Sequence, residues 1–264
     1  MTLSAPGVPA ASVPRTVHVE HCMGTVFTVD VRGRGDWQAA IGAVVAWLHR
    51  VDTLFSTYRP DSEISRIRRG ELPVAGADPL VSEVLTRCAQ LEAETGGWFT
   101  AYWRGAAPDP TGLVKGWAIE RASDLLRDHG SRNHAVNGGG DVQTAGEAAP
   151  GQPWRIGIVD PFDRSRVLTV VSGRDLAVAT SGIAERGAHI VDPRTGIPST
   201  GLASVSMAGR SLARTDAYAT AAVAMGARAW WWAGQLPWHQ AVIVASDGTM
   251  TSTGPAPGQA ARTA

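Results

Sequence analysis

Cysteine is scarce in this chain, whose 264 residues include two, Cys22 and Cys88. The two lie far apart and fit no metal-ligand spacing, so by themselves they provide neither a disulfide framework nor a zinc site. The N-terminal segment lacks the basic start and continuous apolar core of a secretory signal. No uncharged apolar run reaches membrane-spanning length. These absences predict a cytoplasmic protein that does not insert into a membrane.

An excess of charge is also absent, because Lys plus Arg and Asp plus Glu each number 24. Without a positive field the chain is not expected to bind nucleic acid, and a small-molecule or protein partner is favoured. Apolar residues make up 44% of the sequence and charged residues 18%, which is typical of a globular protein. We expect a single domain over residues 16–254, between disordered tails at 1–15 and 255–264.

Residue periodicity predicts both helices and strands. Residues 17–32 read as strand, turn and strand, and apolar residues recur at helical spacing over 41–55, 81–91 and 111–130. The sequence FSTYRPDSEISRIRRGE, after the first of these helices, reads as a polar loop. From His134 onward, short β-branched segments separated by glycine or Asp-Pro predict an antiparallel, meander-like sheet. The fold class is therefore α+β.

The segment from Ala179 to Thr220 is rich in residues that carry chemistry. Within it, His189 opens the sequence HIVDPRTG, which reads as a short strand entering a turn. Asp192-Pro193 starts the turn and Gly196 relaxes it. On local chemistry alone, His189 is interpreted equally well as an ordinary half-buried residue or as a functional one.

The same segment ends with Asp216 and Thr220, four residues apart. On a helix this spacing stacks the two side chains on one face, where a carboxylate and a hydroxyl oxygen can meet one hard cation. The alternative is that Thr215 or Asp216 caps the N-terminus of the helix that follows.

Three further features have both a functional and a structural interpretation. Lys115 follows the glycine-bearing start of the third helix, where backbone groups could receive phosphate, although a lysine there is usually only solvated. Tyr58 could stack on a planar ligand or anchor its loop. The glycines of Asn137–Asp141 could let a backbone approach a ligand, or form a β-bulge or loop.

The motifs of the ApbE family, the FAD:protein FMN transferases, resemble these successive segments of the chain: CMGTVF, FSTYRPDSEISR, TGGWF, DPTGLVKGWAIERA, NGGGDVQTAG, ATSG, HIVDPRTG and TDAYAT. The resemblance spans Met23 to Gly226, in the right order and spacing. It implies a T-fold-like α+β structure, with antiparallel sheets, packed helices and an FAD cleft between two sub-structures.

The resemblance also implies the reaction. FAD is the substrate and Mg²⁺ the cofactor, and a Thr or Ser hydroxyl of a target protein attacks the phosphorus on the FMN side while AMP departs. Such a transfer needs positioning and charge neutralisation, which a hard cation provides, and a base for the hydroxyl proton, which a histidine near neutral pKa provides.

Site residues follow from the matched motifs. The resemblance implies FAD-binding roles for Met23, Tyr58, Trp98, Phe99, Thr100, Asp109, Lys115, Thr180, Ser181 and Gly182. Among these, Met23 and Tyr58 would flank the flavin ring. The metal ligands would be Asp216, Thr220 and the backbone carbonyl of Gly112, and His189 would be the base.

The chain departs from the family pattern in three ways. Thr100 stands where the family usually has aspartate, so one polar FAD contact is expected to be altered. The segment before Asp109 is shorter than usual, so a trimmed FAD pocket is expected there. Many family members are exported lipoproteins, whereas this sequence predicts a cytoplasmic or cytoplasm-facing acceptor. The alternative function is a protein that binds FAD, or hydrolyses it to FMN and AMP, without a protein acceptor. Asp216, Thr220 and His189 favour chemistry over storage.

Overall fold

A large antiparallel sheet forms the centre of the structure. The computed structural model describes residues 13–103, 107–182, 190–237 and 239–254. The strands within these ranges are β1 (Arg15–Cys22), β2 (Thr25–Arg32), β3 (His134–Gly138), β4 (Asp141–Ala145), β5 (Trp154–Val159), β6 (Val167–Gly173), β7 (Ala177–Gly182), β8 (Leu202–Gly209), β9 (Gln240–Ala245) and β10 (Met250–Thr253). Eight of them form one sheet in the order β1-β2-β3-β4-β7-β8-β9-β10, and β5 and β6 form a separate hairpin. The predicted antiparallel meander and the α+β class are confirmed.

Helices cover one face of this sheet. They are α1 (Gln38–Phe55), α2 (Glu63–Arg68), α3 (Pro79–Glu94), α4 (Thr111–Asp128), α5 (Leu212–Met225) and α6 (Ala229–Ala233). Helix α4 packs on α1, α5, β3 and β4, and α5 packs on β7 and β8. The main core lies between these helices and the sheet. A smaller apolar cluster joins the β5–β6 hairpin to β7, β8 and β9.

The helix boundaries follow from local side-chain chemistry. Asp36 Oδ1 accepts a hydrogen bond from Gln38 N–H at 3.1 Å at the start of α1. Asp78 caps α3 through the Leu80 N–H at 2.9 Å, and proline occupies the first helical position. The three helices predicted from periodicity are thereby confirmed.

Two predicted elements were wrong. The stretch expected to be a polar loop contains α2, which Ser62 caps and whose Ile64 and Ile67 are buried. Six residues are too few to show a helical period, which is why the pattern missed it. The strand expected before the Asp192 turn is reduced, from Ile190 onward, to a single bridge between Val191 and Pro198.

The sheet opens between β4 and β7. These two strands pair at only two positions, Val142 with Val178 and Gln143 with Ala177. Beyond them, the Thr180 N–H donates to the Asp141 side chain at 3.0 Å instead of to a backbone carbonyl. The sheet is therefore divided into a β1–β4 part and a β7–β10 part, and the gap between them begins at Asp141 and Thr180.

No helix in the described ranges combines the length and the apolar character that crossing a bilayer requires. Of the predicted tails, residues 1–12 and 255–264 lie outside the described residues. Strand β1 already begins at Arg15.

Candidate functional site

A cleft of about 590 Å³ lies where the sheet opens. Its walls are the start of α4, the inner face of α5, the end of β7 and the Trp98-Phe99-Thr100 segment. A neighbouring groove of about 690 Å³ is lined by Met23, Tyr58 and parts of α1. The cleft and the groove share Gly24, Thr25, Thr111 and Lys115, so they form one continuous depression.

Lys115 lies at the junction of the cleft and the groove. Its ammonium contacts the Asp141 carboxylate and lies 3.7 Å from Asp216 Oδ2. The two aspartates are only 1% and 4% exposed, whereas Lys115 is partly exposed to the cleft. Lys115 is also the only lysine in the chain. The ammonium is therefore held by buried carboxylates at a point that a ligand in the cleft can reach.

Asp216 lies inside α5 and does not cap it. Ser211 occupies the cap position, where its hydroxyl accepts from the Arg214 N–H, so the capping interpretation of Thr215 and Asp216 was wrong. Asp216 Oδ2 accepts from the Gly116 N–H of α4 at 3.1 Å. A Cβ atom at Gly116 would lie 2.8 Å from Asp216 Cβ, so only glycine lets the two helices approach this closely.

Thr220 lies one turn beyond Asp216 and also lines the cleft, as the i, i+4 spacing predicted. Its Oγ1 is 3.1 Å from Ser181 Oγ on β7. Gly112, in the first turn of α4, lies beside Thr220, because a Cβ atom at Gly112 would be 3.9 Å from Thr220 Cγ2. The three predicted metal ligands, Gly112, Asp216 and Thr220, therefore line one wall together with Ser181.

The ATSG motif forms the end of β7. Thr180 Oγ1 and Ser206 Oγ are 2.7 Å apart, which ties β7 to β8. A Cβ atom at Gly182 would lie 2.3 Å from the Ala203 carbonyl oxygen, so this position requires glycine. Thr180, Ser181 and Gly182 all line the cleft.

The opposite wall carries the remaining predicted FAD contacts. Phe99 is buried, and its ring edge lies 3.1 Å from a Cβ built on Gly112. Thr100 Oγ1 accepts from the Tyr102 N–H at 3.0 Å. Asp109 accepts from the Thr111 hydroxyl at 2.7 Å and from Arg68 of α2 at 3.1 Å. Asp109 is therefore fixed by its neighbours at the start of α4.

Met23 and Tyr58 lie in the groove and not in the cleft. Met23 and Gly24 form the two-residue turn between β1 and β2, with φ of +52° and +69°. A positive φ is uncommon for methionine, and such outliers concentrate at functional sites. Tyr58 is 90% exposed, so its ring is available to stack on a ligand.

The glycine turn between β3 and β4 lies beside Lys115, at the junction of the cleft and the groove. Gly139 and Gly140 connect β3 to β4 as a hairpin turn with positive φ, so the NGGGD motif is a tight hairpin and not a β-bulge. Gly139 lines the cleft beside Thr25 and Lys115. His189 lies outside the described residues, although Ile190 and Val191, which follow it, line the cleft.

The donor set of the cleft favours oxygen chemistry. Among the described residues no group of three His, Cys, Asp or Glu side chains could hold a metal. One carboxylate, two hydroxyls and a backbone carbonyl instead resemble a site for a hard cation that takes further ligands from substrate and water.

The sequence model of the ApbE family matches this chain over residues 23–105 and 103–243. The chain belongs to the ApbE family. The matched ranges contain all the residues that line the cleft, and those that line the groove except His21 and Cys22.

Two relatives of the chain share the name FAD:protein FMN transferase. The chain is 34% identical over 128 residues to the FAD:protein FMN transferase of Vibrio cholerae, covering 45% of this chain and 38% of that protein. It is 28% identical over 232 residues to the FAD:protein FMN transferase of Rhodobacter capsulatus, covering 84% of this chain and 41% of that protein. The chain thus spans about two fifths of the length of these relatives.

Solved structures of the family share the fold. The ApbE protein of Thermotoga maritima superimposes with a TM-score of 0.81 at 21% identity, covering 91% of this chain and 97% of that one. The flavin transferase ApbE of Vibrio cholerae gives 0.78 at 22% identity, with the same coverage.

Sequence reasoning missed two residues of this ApbE-family site. It assigned Asp141 only to a glycine-rich turn, and it gave Gly116 no role. No signal in one sequence identifies Asp141, because its contact with Lys115 joins α4 to β4. No signal in one sequence identifies Gly116, since its role depends on how α4 and α5 approach each other.

Proposed function

We propose that the chain transfers FMN from FAD to a Thr or Ser hydroxyl of a target protein and releases AMP. Two kinds of observation support this: membership of the ApbE family, and a cleft in which one ammonium, buried carboxylates and hydroxyls meet. The observation that carries the proposal is Lys115 at the junction of the cleft and the groove, beside Asp216 and Asp141.

FAD fits the continuous depression in two parts. Its flat isoalloxazine ring would lie in the groove, between Met23 and Tyr58, where an exposed aromatic ring can stack. Its pyrophosphate would lie at the junction, where the Lys115 ammonium supplies a positive charge to phosphate oxygens. This placement leaves Trp98, Phe99, Thr100 and Asp109 to line the remaining part of the cleft.

Mg²⁺ fits the donors of the α5 wall. Asp216, Thr220 and the Gly112 carbonyl would hold it, and when bound it would neutralise charge on the pyrophosphate oxygens. The Gly116 N–H of α4 donates to Asp216 Oδ2 at 3.1 Å, which fixes this carboxylate beside the first turn of α4 that contains Gly112.

The chain's own residues then position the reaction. Lys115 holds the pyrophosphate, while Asp141 fixes Lys115 and the Thr180 N–H at the opening of the sheet. His189 is proposed to take the proton from the attacking hydroxyl, on the strength of the matched motif and of Ile190 lying in the cleft wall.

A co-expression experiment tests the proposal. The chain is produced with candidate acceptor proteins, and mass spectrometry looks for FMN on a threonine or serine while AMP release from FAD is measured. Asp216→Asn should abolish both signals. Asp247→Asn, in the β9–β10 turn, removes the same charge away from the cleft and should leave both unchanged.

Two outcomes would contradict the proposal. AMP release with no labelled acceptor would show FAD hydrolysis instead of transfer. An Asp216→Asn variant that keeps the unmutated rate would show that the cleft is not the reacting site.

A further inference from the structure

A second hollow adjoins the cleft across Trp98. It has a volume of about 540 Å³, and Glu94, Trp98, Arg194, Arg228, Trp231 and Trp232 line it. Trp98 also lines the cleft, so the two depressions meet at this residue. We call this depression the arginine–tryptophan hollow.

Two guanidinium groups face the Trp98 ring. The Arg194 guanidinium lies 4.2 Å from the ring centroid and that of Arg228 lies 5.9 Å from it. Both are within the range of a cation–π contact. Neither arginine makes an ion pair with a carboxylate in the described parts of the chain.

The one carboxylate that lines the hollow is already engaged. Glu94 accepts from Arg214 at 3.0 Å through one oxygen and from the Tyr218 hydroxyl at 2.8 Å through the other. Burial and this hydrogen bond raise the pKa of Tyr218 to about 12, so its hydroxyl keeps its proton. The positive charges of Arg194 and Arg228 are therefore not offset by Glu94.

The outer rim is apolar and aromatic. Trp230 and Trp231 on α6 are 59% and 64% exposed. Exposed tryptophan beside arginine is the composition that protein–protein interfaces favour at their energetic centres. A free surface of this kind, next to a reacting cleft, is suited to a polypeptide more than to a second small molecule.

We propose that the arginine–tryptophan hollow binds an acidic segment of the acceptor protein, close to the Thr or Ser that receives FMN. The proposal rests on the proposed function and names a property of its acceptor. Two observations carry it. The guanidinium groups of Arg194 and Arg228 have no carboxylate partner among the described residues, and Trp98 joins the hollow to the cleft in which FAD is proposed to bind. A membrane surface fits less well, since lipid-binding sites cluster more basic residues than these two.

Peptide binding without FAD tests the proposal independently of turnover. Two fluorescein-labelled probes of equal length are compared by anisotropy: Glu-Asp-Gly-Thr-Gly-Trp and its neutral counterpart Gln-Asn-Gly-Thr-Gly-Trp. Each exposed ion pair contributes up to about fivefold in affinity. The acidic peptide should therefore bind roughly tenfold more tightly at low salt, and the difference should shrink as salt screens the charges.

A double variant, Arg194→Gln with Arg228→Gln, should bind the two peptides equally. Arg121→Gln, an exposed arginine of α4 that lines neither depression, makes a similar charge change and should keep the preference. Because the variants alter exposed side chains, their folding can be checked by thermal unfolding in parallel. FAD affinity of the double variant should remain within about twofold of the unmutated chain.

Several results would overturn the proposal. These are equal binding of the two peptides to the unmutated chain, a preserved preference in the double variant, and a loss of preference in Arg121→Gln. A matching loss of FAD affinity would assign the arginines to the FAD site. Binding to anionic phospholipid vesicles that the double variant loses, without peptide discrimination, would assign the hollow to a membrane. Failure of FMN transfer with the peptide preference intact would instead count against the proposed function alone.

Discussion

Replacing Gly116 by alanine should damage this protein, although the same change usually stabilises a helix. In an exposed helix interior, alanine is favoured over glycine by about 1 kcal/mol. At Gly116 the added Cβ would lie 2.8 Å from Asp216 Cβ, 2.8 Å from the Leu212 carbonyl oxygen and 3.0 Å from Asp216 Oδ2. Two of these contacts involve the backbone or the Cβ of α5, so no flexible side-chain end can move away.

The magnitude follows from these opposing terms. Overpacking a close contact typically costs about 1–3 kcal/mol. Subtracting the helix-propensity gain of about 1 kcal/mol leaves a free energy of unfolding lowered by roughly 0–2 kcal/mol. The rate of AMP release from FAD should also fall. Pushing α5 away breaks the 3.1 Å hydrogen bond from the Gly116 N–H to Asp216 and so displaces the proposed metal ligand.

Gly42→Ala is the matched control. Gly42 lies within α1, is exposed, and a Cβ there would meet nothing within 4 Å. Urea unfolding should show Gly42→Ala at or above the unmutated stability and Gly116→Ala at or below it, while AMP release from FAD falls only in Gly116→Ala. If Gly116→Ala is stabilised as much as Gly42→Ala and keeps its activity, the close approach of α4 and α5 is wrong.

Three further predictions concern single side chains. Tyr58→Ala should weaken FAD binding by about 1 kcal/mol, the scale of an aromatic pair, and an unchanged dissociation constant in a fluorescence titration would exclude stacking. His189→Asn should keep FAD affinity while the rate of AMP release falls by about 10²-fold. If the variant still loses activity at acidic pH as the unmutated chain does, His189 is not the base. His134 is buried with its ring nitrogens 2.8 Å from Ser123 Oγ and 2.9 Å from Ser131 Oγ, and burial lowers its pKa to about 4. Because the unfolded chain takes up this proton first, at about pH 6.5, stability should fall by about 2 kcal/mol from pH 7 to pH 5, and His134→Gln in urea unfolding should lack that part of the loss.

Helices with long apolar periods were predictable from the sequence, and so were tight turns. The period over 41–55 and the Asp78-Pro79 start specified α1 and α3, because capping and burial are local properties of the chain. Helix α2 was missed because it is short and polar outside, and only packing against the rest of the protein buries its isoleucines.

The relative positions of candidate site residues were predictable where both residues lie on one helix. Asp216 and Thr220 share a helix face, so their spacing alone placed them together. Asp141 and Gly116 depend on contacts between elements far apart in the sequence, the first with Lys115 and the second with Asp216. Periodicity contains no information on such contacts. The sequence also did not reveal where α5 begins, because Ser211 and not Thr215 or Asp216 is its N-cap.

The opening of the sheet explains why these distant residues meet. Where β4 and β7 stop pairing, the Thr180 N–H has no paired residue on the β4 backbone to accept from it. The Asp141 carboxylate supplies that acceptor with one oxygen and contacts Lys115 with the other. The same side chain therefore closes the hydrogen bonding of the divided sheet and fixes the ammonium at the cleft. Asp141 therefore both accepts from the Thr180 N–H and positions Lys115. The proposed reaction site consequently lies at the point where the two parts of the sheet separate.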